Sequence, residues 1–292
     1  MESRVLKFAA ASLAAVFFSA AAPAFAGEPE TNADGEMERR NRNALLGGGL
    51  LVGWYGATHW WKDGLTGNFR TAGEGWFGPD TYAGGADKMG HLFIGYAGTR
   101  LMARGFESLG NSPDEALWLG AATAFGTLLA IETVDGFSTK WRFSPEDLIM
   151  NAAGAGLGIF LERSPQLDRL LDFRMMYRPS RTGGSGFDPV GDYSGQTYLL
   201  VAKAAGVSAM NQSAPLRYLE LAVGYGSRGY GDMPAAQRDR RIYVGVSLNL
   251  SGILDDTLFR QDRNSSAARA TRMALEFFQV PGTAAALSTH SF

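Results

Sequence analysis

Ionisable residues lie at the ends of three apolar, glycine-rich stretches, and this placement limits the possible folds more than any other feature of the chain. The first stretch begins with Asp87–His91, the second ends with Glu132–Gly136, and the third begins with Ser144–Asp147. Charges buried among apolar helices cost free energy unless they are paired, so they are typical of functional sites. The pattern therefore predicts apolar helices that share a polar site.

The first 26 residues have the composition of a secretory signal peptide. Arg4 and Lys7 form a basic start, an alanine-rich apolar run follows, and Ala24-Phe25-Ala26 matches the A-x-A cleavage pattern. Cleavage before Gly27 would release an exported protein, and the alternative is an uncleaved membrane anchor. We therefore expect an exported protein, located in the periplasm or associated with the inner or outer membrane.

The chain contains no cysteine, and its 27 basic residues nearly balance its 29 acidic residues. Without cysteine, disulfides, thiolate metal sites and a lipid on an N-terminal cysteine are excluded. Nucleic-acid binding usually requires a basic face, so we predict no nucleic-acid partner. The motifs of phosphate-binding loops, serine hydrolases and zinc proteases (GxxxxGK[ST], GxSxG and HExxH) are also missing. The sequence leaves open whether the protein is an enzyme.

Local signals predict the helices. Ser112, Pro113 and Glu115 match a capping box with proline at the first helical position, and Ser144-Pro145 repeats this start. Gly154 and Gly158 give the helix that follows a small-xxx-small face, which permits close approach of another helix. The apolar runs are roughly 15–19 residues long, against about 20 for a comfortable membrane span. A compact periplasmic bundle and a bundle embedded in a bilayer both agree with these lengths.

The pattern changes after Pro179, where a linker rich in glycine and serine begins. Three later segments favour strands, and in the last of them Ile242, Val244 and Val246 alternate with other residues at period two. These segments are Gln196–Ala205, Arg217–Tyr225 and Arg241–Leu250. We predict the α+β class, with an apolar four-helix bundle followed by a small antiparallel β-sheet packed on it.

This interpretation divides the chain into six segments. They are a signal peptide (1–26), a polar lead-in (27–43), a helical bundle that carries the polar site (44–178), a linker (179–195), an antiparallel β segment (196–254), and a short helix over 267–278 with a loosely held tail (255–292).

The spacing of the polar residues predicts that they meet. Asp87 and His91 are four residues apart and share one helical face, and Asp147 and Asn151 have the same spacing. Glu132 follows sixteen uncharged residues, and a buried carboxylate needs a partner or a shifted pKa. In a bundle of antiparallel neighbours, these groups would meet near one end.

Each of these residues also has a purely structural interpretation. Asp87 can interact with the dipole at a helix start, and Asp147 can complete a capping box. His91 and Asn151 can be hydrogen-bonded core residues. A structural polar network is therefore the alternative to a functional site.

Two functional interpretations of the cluster stay open. His91, Glu132 and Asp147 could hold a divalent metal through nitrogen and oxygen ligands, or they could act as catalytic acid and base toward a lipid head group. The candidate ligand-binding residues beside them are Asp87, Lys88, Asp135 and Asn151.

The order of these motifs resembles that of a YfiM-like family of exported bacterial proteins of unknown function, generally described as predicted periplasmic lipoproteins. A looser similarity links the chain to VanZ-like membrane domains. The resemblance covers about residues 83–158 and is carried by Asp87, Lys88, His91, Glu132, Asp135, Gly136, Ser144, Asp147, Asn151 and Gly154. It implies a cell-envelope location.

The chain departs from both patterns. It has no cysteine for a lipobox, so a lipoprotein fate does not carry over. Val134-Asp135-Gly136 replaces the glutamine and arginine that follow the glutamate in VanZ-like domains. A mechanism shared with those domains is therefore not implied.

Three functions follow from the sequence. The first is an accessory envelope protein whose buried pocket binds an envelope component. The second is a metal-dependent or acid/base-dependent lipid-modifying enzyme. The third is a structural protein associated with the outer membrane. A membrane or envelope lipid is the expected partner, and protein partners stay open.

Overall fold

A computed structural model describes residues 32–180, 187–230 and 234–292. The predicted signal peptide and residues 181–186 of the predicted linker lie outside these ranges. The described chain forms two compact units. We call residues 32–74 and 94–162 the helical unit, and residues 75–93 and 163–292 the sheet unit.

Helices and antiparallel strands are both present, which confirms the α+β class. The four-helix arrangement stays a prediction, because the described residues contain eight α-helices. The helices are α1 Asn32–Tyr55, α2 Ala86–Ser108, α3 Pro113–Phe137, α4 Pro145–Glu162, α5 Pro165–Leu170, α6 Ser208–Asn211, α7 Leu250–Asp256 and α8 Ser266–Phe277. The strands are β1 Leu171–Tyr177, β2 Gln196–Lys203, β3 Leu219–Arg228, β4 Asp239–Leu248 and β5 Ala284–Ser291.

Helix α1 begins at Asn32, inside the segment that the sequence predicts as a polar lead-in. Glu36 forms ion pairs with Arg39 and Arg40 at helical spacing, which supports a polar helix. Asn41 is buried and exchanges side-chain hydrogen bonds of 2.7 and 2.8 Å with Asn111. The polar start of α1 is therefore a packed part of the helical unit.

Small residues allow the helices of this unit to pack closely. A Cβ atom on Gly95 would lie 2.6 Å from the Asn151 carbonyl oxygen, and one on Gly120 would lie 2.5 Å from the Ala103 nitrogen. A Cβ atom on Gly158 would lie 3.0 Å from the side chain of Thr99. Helix α2 thus packs directly against the backbones of α3 and α4.

Among the described helices, α3 alone meets the length and hydropathy criteria for a membrane span, and half of its most apolar window is buried. A core helix of a soluble protein meets the same criteria. Both alternatives for the helical unit therefore stay open.

The strands pair in the order β1-β2-β3-β4-β5, and every pair is antiparallel. Strand β1 lies within the segment predicted as helical bundle, and β5 lies within the predicted tail, so both expectations are wrong. The charged sequence of β1 and the alanine-rich sequence of β5 carry weak strand signals. Pairing with β2 and β4 determines their conformation.

The predicted linker is also partly ordered. Asp192 is buried and accepts hydrogen bonds from the backbone nitrogens of Ser180, at 2.7 Å, and Gly195, at 3.1 Å. These bonds hold the approach to β2 in place.

The two faces of the sheet differ in chemistry. One face, which we call the charged face, buries Arg174 between the carboxylates of Asp172 and Glu220. Burial alone lowers the pKa of Arg174, but these two carboxylates raise it above its usual value. The charged groups on this face therefore neutralise one another.

The opposite face, which we call the apolar face, is only partly covered. Phe173, Leu200, Val223 and Val244 lie opposite one another across β1 to β4. Their exposed fractions are 4, 49, 51 and 48%. The Phe93 ring packs on Phe173, and the Phe278 ring packs in turn on Phe93, so the face is covered at β1 and open from β2 to β4.

Candidate functional site

The predicted site residues fall into two groups, one in each unit. The sheet unit holds Asp87, Lys88 and His91, and the helical unit holds Glu132, Asp135, Asp147 and Asn151. Each group makes contacts within its own unit.

A local turn fixes the start of α2. Gly84 and Gly85 adopt positive φ angles of 60° and 84°, a conformation that glycine adopts without strain. The Tyr225 hydroxyl donates a hydrogen bond to the Gly84 carbonyl, and a Cβ atom on Gly84 would lie 2.5 Å from the Tyr230 ring. Strand β3 and the chain after it therefore position the first turn of α2.

The first turns of α2 carry what we call the polar cluster: Asp87, Lys88 and His91. The Lys88 ammonium lies 2.6 Å from Asp87 Oδ2, and both side chains are almost fully buried. The other carboxylate oxygen, Oδ1, lies 3.7 Å from His91 Nε2, and the His91 side chain is 19% exposed. Asp87 therefore neutralises a buried cation and also faces an imidazole that reaches solvent.

Tyr198 on β2 adds a group that the sequence did not indicate. Its hydroxyl donates a hydrogen bond to Gln196 Oε1, and a Cβ atom on Gly90 would lie 2.9 Å from the same hydroxyl. Burial, together with the negative charge of Asp87, raises the pKa of Tyr198 far above its ordinary value. The phenol therefore stays neutral and serves as a hydrogen-bond donor.

The helical-unit group lies where α3 ends and α4 begins. The Ser144 backbone nitrogen donates to Glu132 Oε2 at 3.3 Å, and the Asp147 nitrogen donates to Ser144 Oγ at 3.2 Å. Glu132, Asp147 and Asn151 are all buried. Glu132 therefore joins the end of α3 to the start of α4, in addition to any role toward a ligand.

Asp135 makes a well-defined structural contact. Its Oδ1 accepts a 2.6 Å hydrogen bond from Trp61 Nε1, and Trp61 packs with Ala130 and Val134 in a buried cluster. This bond holds the turn after α1 against α3.

Comparison with known proteins identifies one family. Residues 73–163 match the family described as predicted periplasmic lipoprotein, DUF2279. The matched segment contains the polar cluster and the helical-unit group, and its family has no assigned function. No curated protein and no solved structure matches the chain.

The family match determines the location. The protein is exported, and it is periplasmic or associated with a membrane of the envelope. Its sequence has no cysteine, so the lipid attachment in the family's description has no acceptor among these 292 residues. The protein is thus an envelope protein, and its residues 73–163 are similar to an uncharacterised periplasmic family.

Proposed function

We propose that the protein has an accessory role in the envelope, in which the polar cluster binds a polar group of an envelope component. One observation carries the proposal: a single buried carboxylate, Asp87, holds the buried Lys88 ammonium and faces the partly exposed His91 ring. Buried ion pairs add little to stability compared with well-packed apolar residues of similar volume. A binding role gives a reason for placing this pair beside an accessible imidazole.

The test is a thermal-shift measurement on the purified protein. The probes are vesicles of phosphatidylethanolamine and phosphatidylglycerol, lipopolysaccharide, and peptidoglycan fragments. A probe that binds only the folded state at about 100 times its Kd adds about 2.7 kcal/mol of stability. For a chain of this size, that corresponds to a rise in melting temperature of very roughly 5–10 °C.

The matched variants are His91→Ala and His290→Ala, since His290 is an exposed histidine on β5. We expect at least one probe to stabilise the wild type and the His290→Ala variant, and to lose its effect on His91→Ala. The proposal fails if no probe stabilises the wild type, or if the shift persists in His91→Ala.

A second candidate is a metal-dependent or acid/base-dependent lipid-modifying enzyme. It is favoured by the 3.7 Å separation of Asp87 Oδ1 and His91 Nε2, because a carboxylate oxygen and an imidazole nitrogen are both ligands for divalent metals. Elemental analysis of purified protein tests the metal version. A stoichiometric ion that is lost in His91→Ala and kept in His290→Ala would support it, and a metal-free wild type would exclude it.

The resemblance to YfiM-like proteins supports an envelope role but no reaction. A closer relation to VanZ-like domains also stays a proposal, because Val134-Asp135-Gly136 departs from their pattern. The third sequence-based function, a structural role at the outer membrane, predicts that deleting residues 196–250 abolishes outer-membrane association. Unchanged fractionation of that deletion variant would exclude it.

A further inference from the structure

The sheet unit contains an apolar groove with a volume of about 470 Å³, between the first turns of α2 and the apolar face of the sheet. Its lining includes Phe77, Met89, Tyr198, Val223, Ile242 and Phe292. Apart from Met89 and Gly224, the described residues that line the groove have aliphatic or aromatic side chains. The volume falls in the range of about 300–1,000 Å³ that is typical of small-molecule sites.

The groove continues onto the open part of the apolar face. Val223 and Leu200 line the groove, and Val244 lies opposite Val223 on the next strand. All three are about half exposed. This continuous aliphatic strip suits an extended hydrocarbon chain, which gains free energy when its surface leaves water.

A cation lies at the end of the groove formed by Phe77 and Phe292. The Arg240 guanidinium stands 4.4 Å from the centroid of the Phe292 ring and donates a hydrogen bond to the Phe77 carbonyl. Burial raises the pKa of Tyr225, another lining residue, to about 12, while the positive charge of Arg240 opposes this rise. The guanidinium is therefore close enough to act electrostatically on a group that reaches the groove wall.

The neighbouring charges reinforce a positive end. Arg238 stands over the Tyr230 ring, and Arg241 is paired with Asp239. Arg238, just before β4, and Arg240, on β4, are outside the Asp239–Arg241 pair, and together they outnumber Asp80, the other acidic residue that acts electrostatically on Tyr230. An anionic group at this end of the groove would complement them.

We infer that the groove binds the hydrocarbon chain of a single-chain anionic lipid, such as a fatty acid, with Arg240 holding the anionic head group. The inference goes beyond the proposed role of the polar cluster, because Asp87, Lys88 and His91 do not line the groove. A second copy of the chain could cover an apolar strip, but it would give no reason for a guanidinium at one end.

The test measures binding of cis-parinaric acid, an anionic fatty acid that fluoresces in apolar surroundings, to the purified full chain. We expect saturable binding that palmitate displaces and that the neutral hexadecanol displaces much less well. Arg240→Gln should weaken binding about tenfold, Arg240→Lys should restore most of the affinity, and Arg263→Gln should leave it unchanged. Arg263 is an exposed arginine that pairs with Asp256.

A matched pair on β3 tests the location. Val223 lines the groove, whereas Leu221 lies two residues earlier on the same face, outside the lining, and is 66% exposed. Val223→Glu should reduce the affinity at least tenfold, and Leu221→Glu should reduce it no more than twofold. Phe292→Ala supplies a second groove variant at the chain end if Val223→Glu does not fold.

Several results would overturn the inference. These are no saturable binding of cis-parinaric acid, equal displacement by palmitate and hexadecanol, equal losses in Val223→Glu and Leu221→Glu, or binding to phosphatidylglycerol vesicles without binding of the free fatty acid. Sedimentation experiments without lipid test the alternative of a second copy. If the wild type is a dimer and Val223→Glu dissociates it, the apolar face is an interface between two copies of the chain instead. Persistence of the His91-dependent thermal shift in Val223→Glu would show that the polar cluster acts independently.

Discussion

Buried charges in this protein have identifiable partners, and the partners differ in what they imply. Arg174 is enclosed by two carboxylates on the charged face, and one of them, Asp172, also pairs with the partly exposed Lys203. Lys88 is held by Asp87, whose other oxygen faces the partly exposed His91. Both arrangements therefore reach solvent, but the partly exposed group is an ammonium in the first and an imidazole, which can accept as well as donate a hydrogen bond, in the second. The second arrangement is therefore the better candidate for binding a polar group.

Glu132 allows a direct test of a structural role at the residue scale. Its carboxylate accepts the Ser144 backbone N–H, so removing the acceptor leaves a buried donor without that bond. We expect Glu132→Leu to lower the free energy of unfolding by about 1–3 kcal/mol, and Glu132→Gln, which keeps an acceptor oxygen, to cost much less. Urea unfolding monitored by circular dichroism measures both. Equal losses in the two variants would show that the charge matters more than the hydrogen bond.

Stability at alkaline pH follows from the tyrosines of the sheet unit. Burial raises the pKa of Tyr225 to about 12, above its value near 10 in the unfolded chain. Because the pKa of Tyr225 is higher in the folded state than in the unfolded state, the neutral Tyr225 hydroxyl stabilises the fold fully below about pH 10. This stabilisation is lost as the pH rises through about 12. We expect the free energy of unfolding to fall over this interval, and to fall less steeply in Tyr225→Phe. Parallel pH profiles of the two proteins would contradict this account.

At the scale of elements, the locally encoded parts of the fold are the ones that the sequence predicts. The capping box of Ser112 and Glu115 forms as expected, because its hydrogen bonds join residues three apart. The sequence does not predict strands β1 and β5, because their conformation depends on pairing with β2 and β4. The sequence predicts a polar lead-in over residues 27–43, where the structure has the start of α1, because the packing of Asn41 against Asn111 joins residues far apart in sequence.

Close packing between helices also gives a prediction at this scale. Gly95 and Gly105 both lie on α2, but their surroundings differ. A Cβ atom on Gly95 would lie 2.6 Å from the Asn151 carbonyl oxygen, whereas a Cβ atom on Gly105 would have no neighbour within 4 Å. Gly95→Ala should therefore destabilise the protein by about 1–3 kcal/mol. Gly105→Ala should stabilise it by up to about 1 kcal/mol through helix propensity. Thermal unfolding of both variants checks the difference, and a stable Gly95→Ala protein would contradict the packing.

At the scale of the whole molecule, the sequence located the ionisable residues but not all of their surroundings. Asp87, Lys88 and His91 were identified because charges stand out in an apolar stretch. Tyr198 and the apolar groove were not, because both arise from the packing of distant segments in the sheet unit. The location in the envelope follows from the family match. The proposed ligands follow from the chemistry of the polar cluster and the groove.

The most direct test of the central claim is the melting temperature of the double variant Asp87→Asn/Lys88→Met, measured beside the wild type. If the polar cluster is kept for binding, replacing the buried ion pair with neutral residues of similar size should leave the melting temperature unchanged or raise it. The same variant should lose the His91-dependent stabilisation by envelope probes. A melting temperature several degrees below that of the wild type would instead show that the cluster is a structural network, and would contradict the proposed binding role.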